Sequence, residues 1–239
     1  MEGGHGAALG DRRGAQDRDH KADPSDGRRT LHGDSGAGLA RSGDPIRGRG
    51  ERTRHSILMA AIERFGRDGY RATSVADIAR DAGCGPTVPY AYFRSKEDLF
   101  LAALDEDAAG VVEEALVHLN EMHDVPDWGR RLFATLISAL QRHPLARRVL
   151  AGLEPSVTAH VPEIPVLSEL RKVCTERLRD DQMTGRARAD IDAQRVADGL
   201  VTIVLSLLMS VVQLGTDLIA TYADGIDAVF AAATEPHSR

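Results

Sequence analysis

From residue 51 onward, apolar side chains recur every three or four positions and no strand-like alternation survives, which confines this chain to packed helices. Leu58, Ile62 and Phe65, with Ile57 and Ala61 beside them, open the series, and Gly69 ends their helix. Ser74 with Asp77 three residues on is a capping-box-like start for a second helix. Val75, Ile78, Ala79 and Ala82 form its apolar face, and Gly83 stops it. A short third helix is expected over about Pro86 to Phe93, and Ser95 with Asp98 caps a fourth that runs to about Glu121. Further helices follow the punctuation. They are expected from Pro126-Asp127 to about Arg142, from His143-Pro144 to about Leu153, from Val166 to Met183, from Asp192 to about Leu214, and from Gly215-Thr216 to about Ala233. Pro155, Pro162 and Pro165 bound an irregular link. The fold class is all-α, about nine helices, with a three-helix N-terminal domain and a helical C-terminal body.

Three segments are expected: a disordered tail over 1–46, an N-terminal domain over 47–101, and a body over 102–239. The tail is glycine-rich, mixed in charge and without an aromatic residue, so it cannot offset the entropy of ordering. Net charge is −6 overall, but residues 1–50 and 51–100 are each at +1 and residues 101–239 at −8. An acidic body is a poor partner for nucleic acid, which leaves that role to the N-terminal side. Arg47-Gly48-Arg49-Gly50 reads either as a solvated linker or as an arm touching phosphate or the minor groove.

Chemistry of other kinds finds little support. The two cysteines, Cys84 and Cys174, are far apart and never meet histidine at zinc spacing, and the nine histidines show no i,i+4 pair. Gly33-Asp34-Ser35-Gly36 resembles the serine loop of trypsin-like proteases, but it lies in the tail of a chain without a β-barrel pattern. No glycine loop suited to phosphate and no defensible carboxylate pair occurs, so no catalytic residue, metal site or cofactor is expected, and the chain does not read as an enzyme. The N-terminus has no apolar h-region, and Arg28-Arg29 lacks the apolar run of a twin-arginine signal. Gly199 to Thr216 carries eighteen residues without a charge, yet Thr202, Ser206, Ser210 and Gln213 interrupt it, so a buried helix is expected rather than a span. A cytoplasmic protein with no membrane partner is the expectation.

Residues 73–93, TSVADIARDAGCGPTVPYAYF, carry the function. Ala79 is small where a following helix must cross closely, Gly83 supplies a tight turn, and Val75, Ile78 and Ala82 give both helices a shared core. This is a helix-turn-helix, whose second helix stands proud enough to enter a major groove about 12 Å wide.

The chain here resembles the TetR family of transcriptional regulators, over about Arg52 to Leu104. The resemblance rests on Ile57, Leu58, Ala60-Ala61, Phe65, Gly69, Thr73-Ser74-Val75, Ile78-Ala79, Ala82-Gly83, Tyr90, Tyr92-Phe93, Ser95-Lys96-Glu97 and Leu99. It departs from the family at Gly85, where Ser or Thr often caps the recognition helix, and at Pro89, where an aliphatic residue usually precedes the tyrosine. A recognition helix that is short, or that starts with a distorted turn, is therefore expected.

The resemblance implies double-stranded DNA as partner, with Thr73, Ser74, Tyr90 and Lys96 at phosphates and Pro86, Thr87 and Ala91 toward bases. Tyr92 and Arg52 complete the candidate contacts. No Arg, Asn or Gln lies between Pro86 and Phe93, so readout of shape and flanking arginines is expected to carry more than base contacts. One such module covers a half-site, so a homodimer on a palindromic operator is expected. Its interface is expected along Leu200, Ile203, Leu207 and Val211, with Val201, Leu205, Met209 and Val212 on the other side of the same helix. The resemblance also implies an unidentified small-molecule effector held in the body, for which Met122, Trp128, Phe133, Leu136 and Met209 are the candidate lining. The reading is a ligand-responsive regulator, a repressor. The alternative is a helical protein-interaction module on the same fold with little specific DNA binding.

Overall fold

A computed structural model describes residues 45–120, 128–158 and 160–236. The tail expected over 1–46 lies outside the described residues except for its last two, which begin a helix. Among the described residues the fold is all-α with nine α-helices. They are α1 (Pro45–Ala72), α2 (Val75–Asp81), α3 (Lys96–Asn120), α4 (Trp128–Leu140), α5 (Pro144–Leu150), α6 (Pro155–Thr158), α7 (Pro165–Met183), α8 (Ala193–Leu214) and α9 (Thr216–Thr234). The expected third helix is reduced to a 3₁₀ turn over Val88–Ala91. Met122 falls in the stretch 121–127, outside the described residues.

Local chemistry explains the boundaries. Ser74 caps α2 by accepting the Asp77 N–H at 3.1 Å. Gly83, at φ 68, closes the other end: its N–H donates to the Arg80 carbonyl at 3.1 Å, and the next N–H, of Cys84, reaches back to Ala79 at 2.9 Å. Both orphan carbonyls are thereby satisfied, and only a residue at ease with positive φ fits. Ser95 accepts the Asp98 N–H at 3.0 Å at the start of α3, while the Asp98 carboxylate takes the N–H of Arg94 at 2.9 Å.

The N-terminal domain closes around Phe65, which is fully buried with Ile57, Leu58, Ile78, Leu99 and Phe100. Phe65 meets Phe100 edge-on at 4.9 Å, and Tyr70 meets the same ring edge-on at 5.3 Å. Each such side chain contributes about 1.5–3 kcal/mol by leaving water. Arg64 of α1 grips Asp81 at the end of α2 through two hydrogen bonds, of 2.5 and 3.1 Å.

Two buried carboxylates fix the small helix α5. Asp107 of α3 is 4% exposed and accepts the N–H groups of Leu145 and Ala146 at 2.9 and 2.8 Å, capping α5 from another element. His143 sits beside it, with Nδ1 at 2.8 Å from Asp107 and Nε2 at 3.3 Å from Glu114. Gly110 leaves room for that imidazole, which a Cβ would overlap. Beyond the other end of α5, Glu154 accepts Arg148 Nε at 2.8 Å and the Tyr70 N–H at 3.1 Å. That N–H is freed because Gly69, at φ 83 and ψ 168, leaves helical geometry. Gly66 adds a close approach of α1 to Pro144, whose Cβ lies 2.7 Å from where a side chain would start.

The length and composition of α8 would suffice to cross a membrane. Seven of its residues, Ala193, Ala197, Leu200, Val201, Val204, Leu208 and Val211, are instead buried in the body. This corrects the expected dimer stripe. Leu200 and Val211 face the chain's own interior, Leu207 is half-buried, and only Ile203 is exposed. A helix apolar on two sides does not announce which side its own chain takes. The outward side is Gly199, Thr202, Ile203, Ser206 and Leu214, with Ser210 partly exposed beside them.

Replacing Asp107 by Ala is expected to strip two buried N–H groups of their acceptor and to cost about 2–4 kcal/mol. Urea unfolding followed by circular dichroism measures this, and a loss below half a kcal/mol would remove the capping role.

Candidate nucleic-acid interface and ligand chamber

The 3₁₀ turn over Val88–Ala91 owes its form to Pro89. A proline has no N–H to give, and here the ring is buried while its carbonyl accepts from Tyr92 and Phe93 at 3.0 and 2.9 Å. The turn is thereby anchored from beneath. Pro86, Thr87, Tyr90 and Ala91 stand exposed above it, Tyr90 at 56%. The sequence expectation of a short or distorted recognition element matches this geometry.

Other expected contacts divide. Ser74 is exposed, and its hydroxyl donates to the Asp77 carboxylate at 2.7 Å while capping α2. Thr73 is 3% exposed, and its hydroxyl donates to the Gly69 carbonyl at 2.8 Å. That corrects its expected phosphate role, because a buried hydroxyl already spent on the α1 break has nothing to offer a ligand. Tyr92 is half-buried against the core. Lys96 places its ammonium 4.4 Å from the Tyr70 ring centre, which offsets the unfavourable position of a cation at a helix start. Arg52 is exposed on α1, one turn after Arg49.

Sequence reasoning passed over Arg71 and Arg80, which are exposed beside the motif, as is Arg94, one of the expected flanking arginines with Arg52 and Arg54. Arg80 is tied to Asp77 at 2.5 Å. The Arg64 guanidinium holds the Asp81 carboxyl below the usual carboxylate range, and the Ser74 hydroxyl followed by Arg80 does the same for Asp77. These carboxylates stay ionised, so the base of the motif is a lattice of ion pairs rather than a run of free cations. Neither His143 nor any other side chain creates a metal cluster: among the described residues no three His, Cys, Asp or Glu gather for one.

Two cavities among the described residues of the body bear on a ligand. The smaller, about 60 Å³, is lined only by apolar side chains, Leu136 among them. The larger, about 670 Å³, lies between α4, α7, α8 and α9. Of the candidate lining, Trp128 and Phe133 line the larger one, whereas Met209 lines neither and packs against the core instead. Leu170, Cys174, Leu178 and Asp181 on α7 and Phe230 on α9 were missed. The α7 spacing of Leu170, Cys174 and Leu178 at every fourth residue was the available signal. Burial pushes the Cys174 thiol up to about 12, so the chamber presents no thiolate.

Residues 57–103 match the model of the family described as "Bacterial regulatory proteins, tetR family". The chain is 26% identical over 152 residues to the HTH-type transcriptional regulator BetI of Brucella abortus, which covers 61% of this chain and 73% of the relative. It is 32% identical over 102 residues to the HTH-type transcriptional repressor NicS of Pseudomonas putida, 42% of this chain and 48% of that one. A crystal structure described as a TetR-family transcriptional regulator, from Mesorhizobium loti, superposes with a TM-score of 0.60 at 22% identity, over 79% of this chain and 99% of that chain. That last likeness extends the shared fold through the body.

Thr73→Val is expected to cost about 1 kcal/mol of stability through the lost hydrogen bond. A variant that melts normally yet binds DNA weakly would restore the phosphate role. Acidification tests the ion pairs. Because the folded-state value of Asp81 is depressed, its contribution is complete above the ordinary carboxylate value of about 3.9 and is lost as pH falls through the depressed one. Thermal melts of Asp81→Asn should therefore lose less stability below about pH 4 than those of the parent chain.

Proposed function

We propose that this chain, a member of the TetR family of helix-turn-helix transcriptional regulators, is a ligand-responsive repressor that binds a palindromic operator as a homodimer. The observation that carries the DNA-binding half is the rigid projection of Thr87, Tyr90 and Ala91 above a proline-anchored turn, beside exposed arginines. Thr87 can bond a base edge, Ala91 can meet a thymine methyl, and the Tyr90 hydroxyl can hold a phosphate. Arg49, Arg52 and Arg94 supply the charge that draws the duplex in and that follows groove shape. The relative NicS is named a repressor, which supports that sign of control.

A single module reads few bases, so pairing about one helical turn apart supplies the rest of the affinity. The outward side of α8 suits a twin. Ile203 and Leu214 are exposed there, at 42% and 69%. Between them the hydroxyls of Thr202, Ser206 and Ser210 each donate to the carbonyl four residues back, at 2.8 to 3.0 Å. Covering that stripe strands no donor. The domain boundaries at 47–101 and 102–239, a cytoplasmic location and the absence of a membrane partner belong to the same proposal.

The response to ligand runs through α5 in this reading. The chamber walls and α5 share the core with α3 and α8, and α5 in turn holds α1 through Glu154 and Pro144. A ligand that favours one setting of those helices alters the presentation of the 3₁₀ turn.

Binding selection from random duplexes, followed by fluorescence anisotropy on the enriched sequence, tests the proposal. Thr87→Ala and Tyr90→Phe should each weaken binding about fivefold to a hundredfold with melting unchanged. Lys96→Ala should weaken all sequences alike and flatten the salt dependence. The reduced recognition turn favours one other reading, a protein-interaction module. Failure of any sequence to enrich, with binding insensitive to both substitutions, would establish that reading instead.

A further inference from the structure

The chemistry of the large chamber narrows its occupant. At about 670 Å³ it has the size of small-molecule sites generally, about 300–1,000 Å³. Its inner wall is aliphatic, built from Leu132, Ile137, Leu170, Leu178, Val201 and Val204. Among the described residues, the charged groups that line it are matched in pairs except Glu235. Asp181 accepts Trp128 Nε1 at 3.0 Å and Arg186 Nε at 2.9 Å, and Arg177 Nε lies 3.6 Å away. At the rim, Arg130 meets Asp227 at 3.3 Å, and Glu235 is exposed to solvent.

We infer that this chamber takes an uncharged, mainly aliphatic ligand with its polar end at the Trp128–Asp181–Arg186 corner, an inference that rests on the effector-responsive reading above. A charged ligand end placed at that corner would meet, among the described residues, no unmatched countercharge and would have to break the Asp181–Arg186 pair to obtain one. A neutral hydroxyl or carbonyl can instead share the exposed edges of Arg186 or Asp181 without separating them. The Cys174 thiol lies in the wall as a small apolar group.

Trp128 is the chain's one tryptophan, which makes its emission a direct report on the chamber. The full chain is titrated with decan-1-ol, decanoate and decylammonium at neutral pH while Trp128 emission and operator anisotropy are both followed. Decan-1-ol should give a saturable shift, with each charged analogue at least tenfold weaker. Ile137→Phe, which fills the chamber, should weaken the alcohol about tenfold, and Ile137→Val should leave it within threefold. The inference is overturned if decanoate or decylammonium binds as tightly as the alcohol, or if none of the three shifts Trp128 saturably. The anisotropy separates the two levels. Alcohol binding without operator release supports the ligand class and sinks the effector reading. Release by a charged analogue alone sinks the ligand class and keeps the effector reading.

Discussion

A helix of seven residues, α5, is too short to persist unaided, so its position is set wholly by what holds it. Two buried carboxylates do so from opposite ends. Asp107 caps its first turn from α3, and Glu154 beyond its last turn reaches the N–H that the Gly69 break leaves exposed in α1. Removing a carboxylate from water is costly, and each is compensated by backbone N–H donors or by a guanidinium. Helix α1 and the helical body therefore share one strut whose seating is polar and directional. Apolar packing alone would tolerate sliding; these hydrogen bonds do not.

The same logic of fixed geometry runs through the recognition element. A regular helix presents side chains on a repeating face, but Pro89 here replaces that face with one tight turn rooted in the core. Few side chains project, and none within the turn is a long hydrogen-bonding cation or amide. In the proposed reading, such a surface would discriminate less by donors and acceptors than by which duplex shapes it can enter, with arginines on neighbouring elements at the phosphates.

Much of the architecture was legible in the sequence because its signals are local. Ser74, Gly83, Ser95, Pro144, Asp192 and Gly215 each mark a helix end within a residue or two, since caps and left-handed turns are short-range chemistry. What escaped was decided at a distance. Thr73 looks like a phosphate-binding cap, and only the neighbouring Gly69 carbonyl shows it to be interior. Leu200 and Val211 belong to a helix apolar on two sides, and its periodicity cannot say which side the chain keeps for itself. Glu154 carries no signal at all, because its partner Tyr70 lies 84 residues earlier. Of the residues named for a ligand, Trp128 and Phe133 line the large cavity, while its α7 wall went unnoticed among ordinary core positions.

The hydroxyl stripe of α8 has a consequence for how such a regulator counts itself. Because Thr202, Ser206 and Ser210 satisfy their own donors, covering those hydroxyls on twinning would itself titrate no group. Such an equilibrium would follow mass action. If the chain pairs in this way and most copies are single, occupancy of a two-fold site would rise with the square of the number of free chains, so modest changes in synthesis rate would move it steeply.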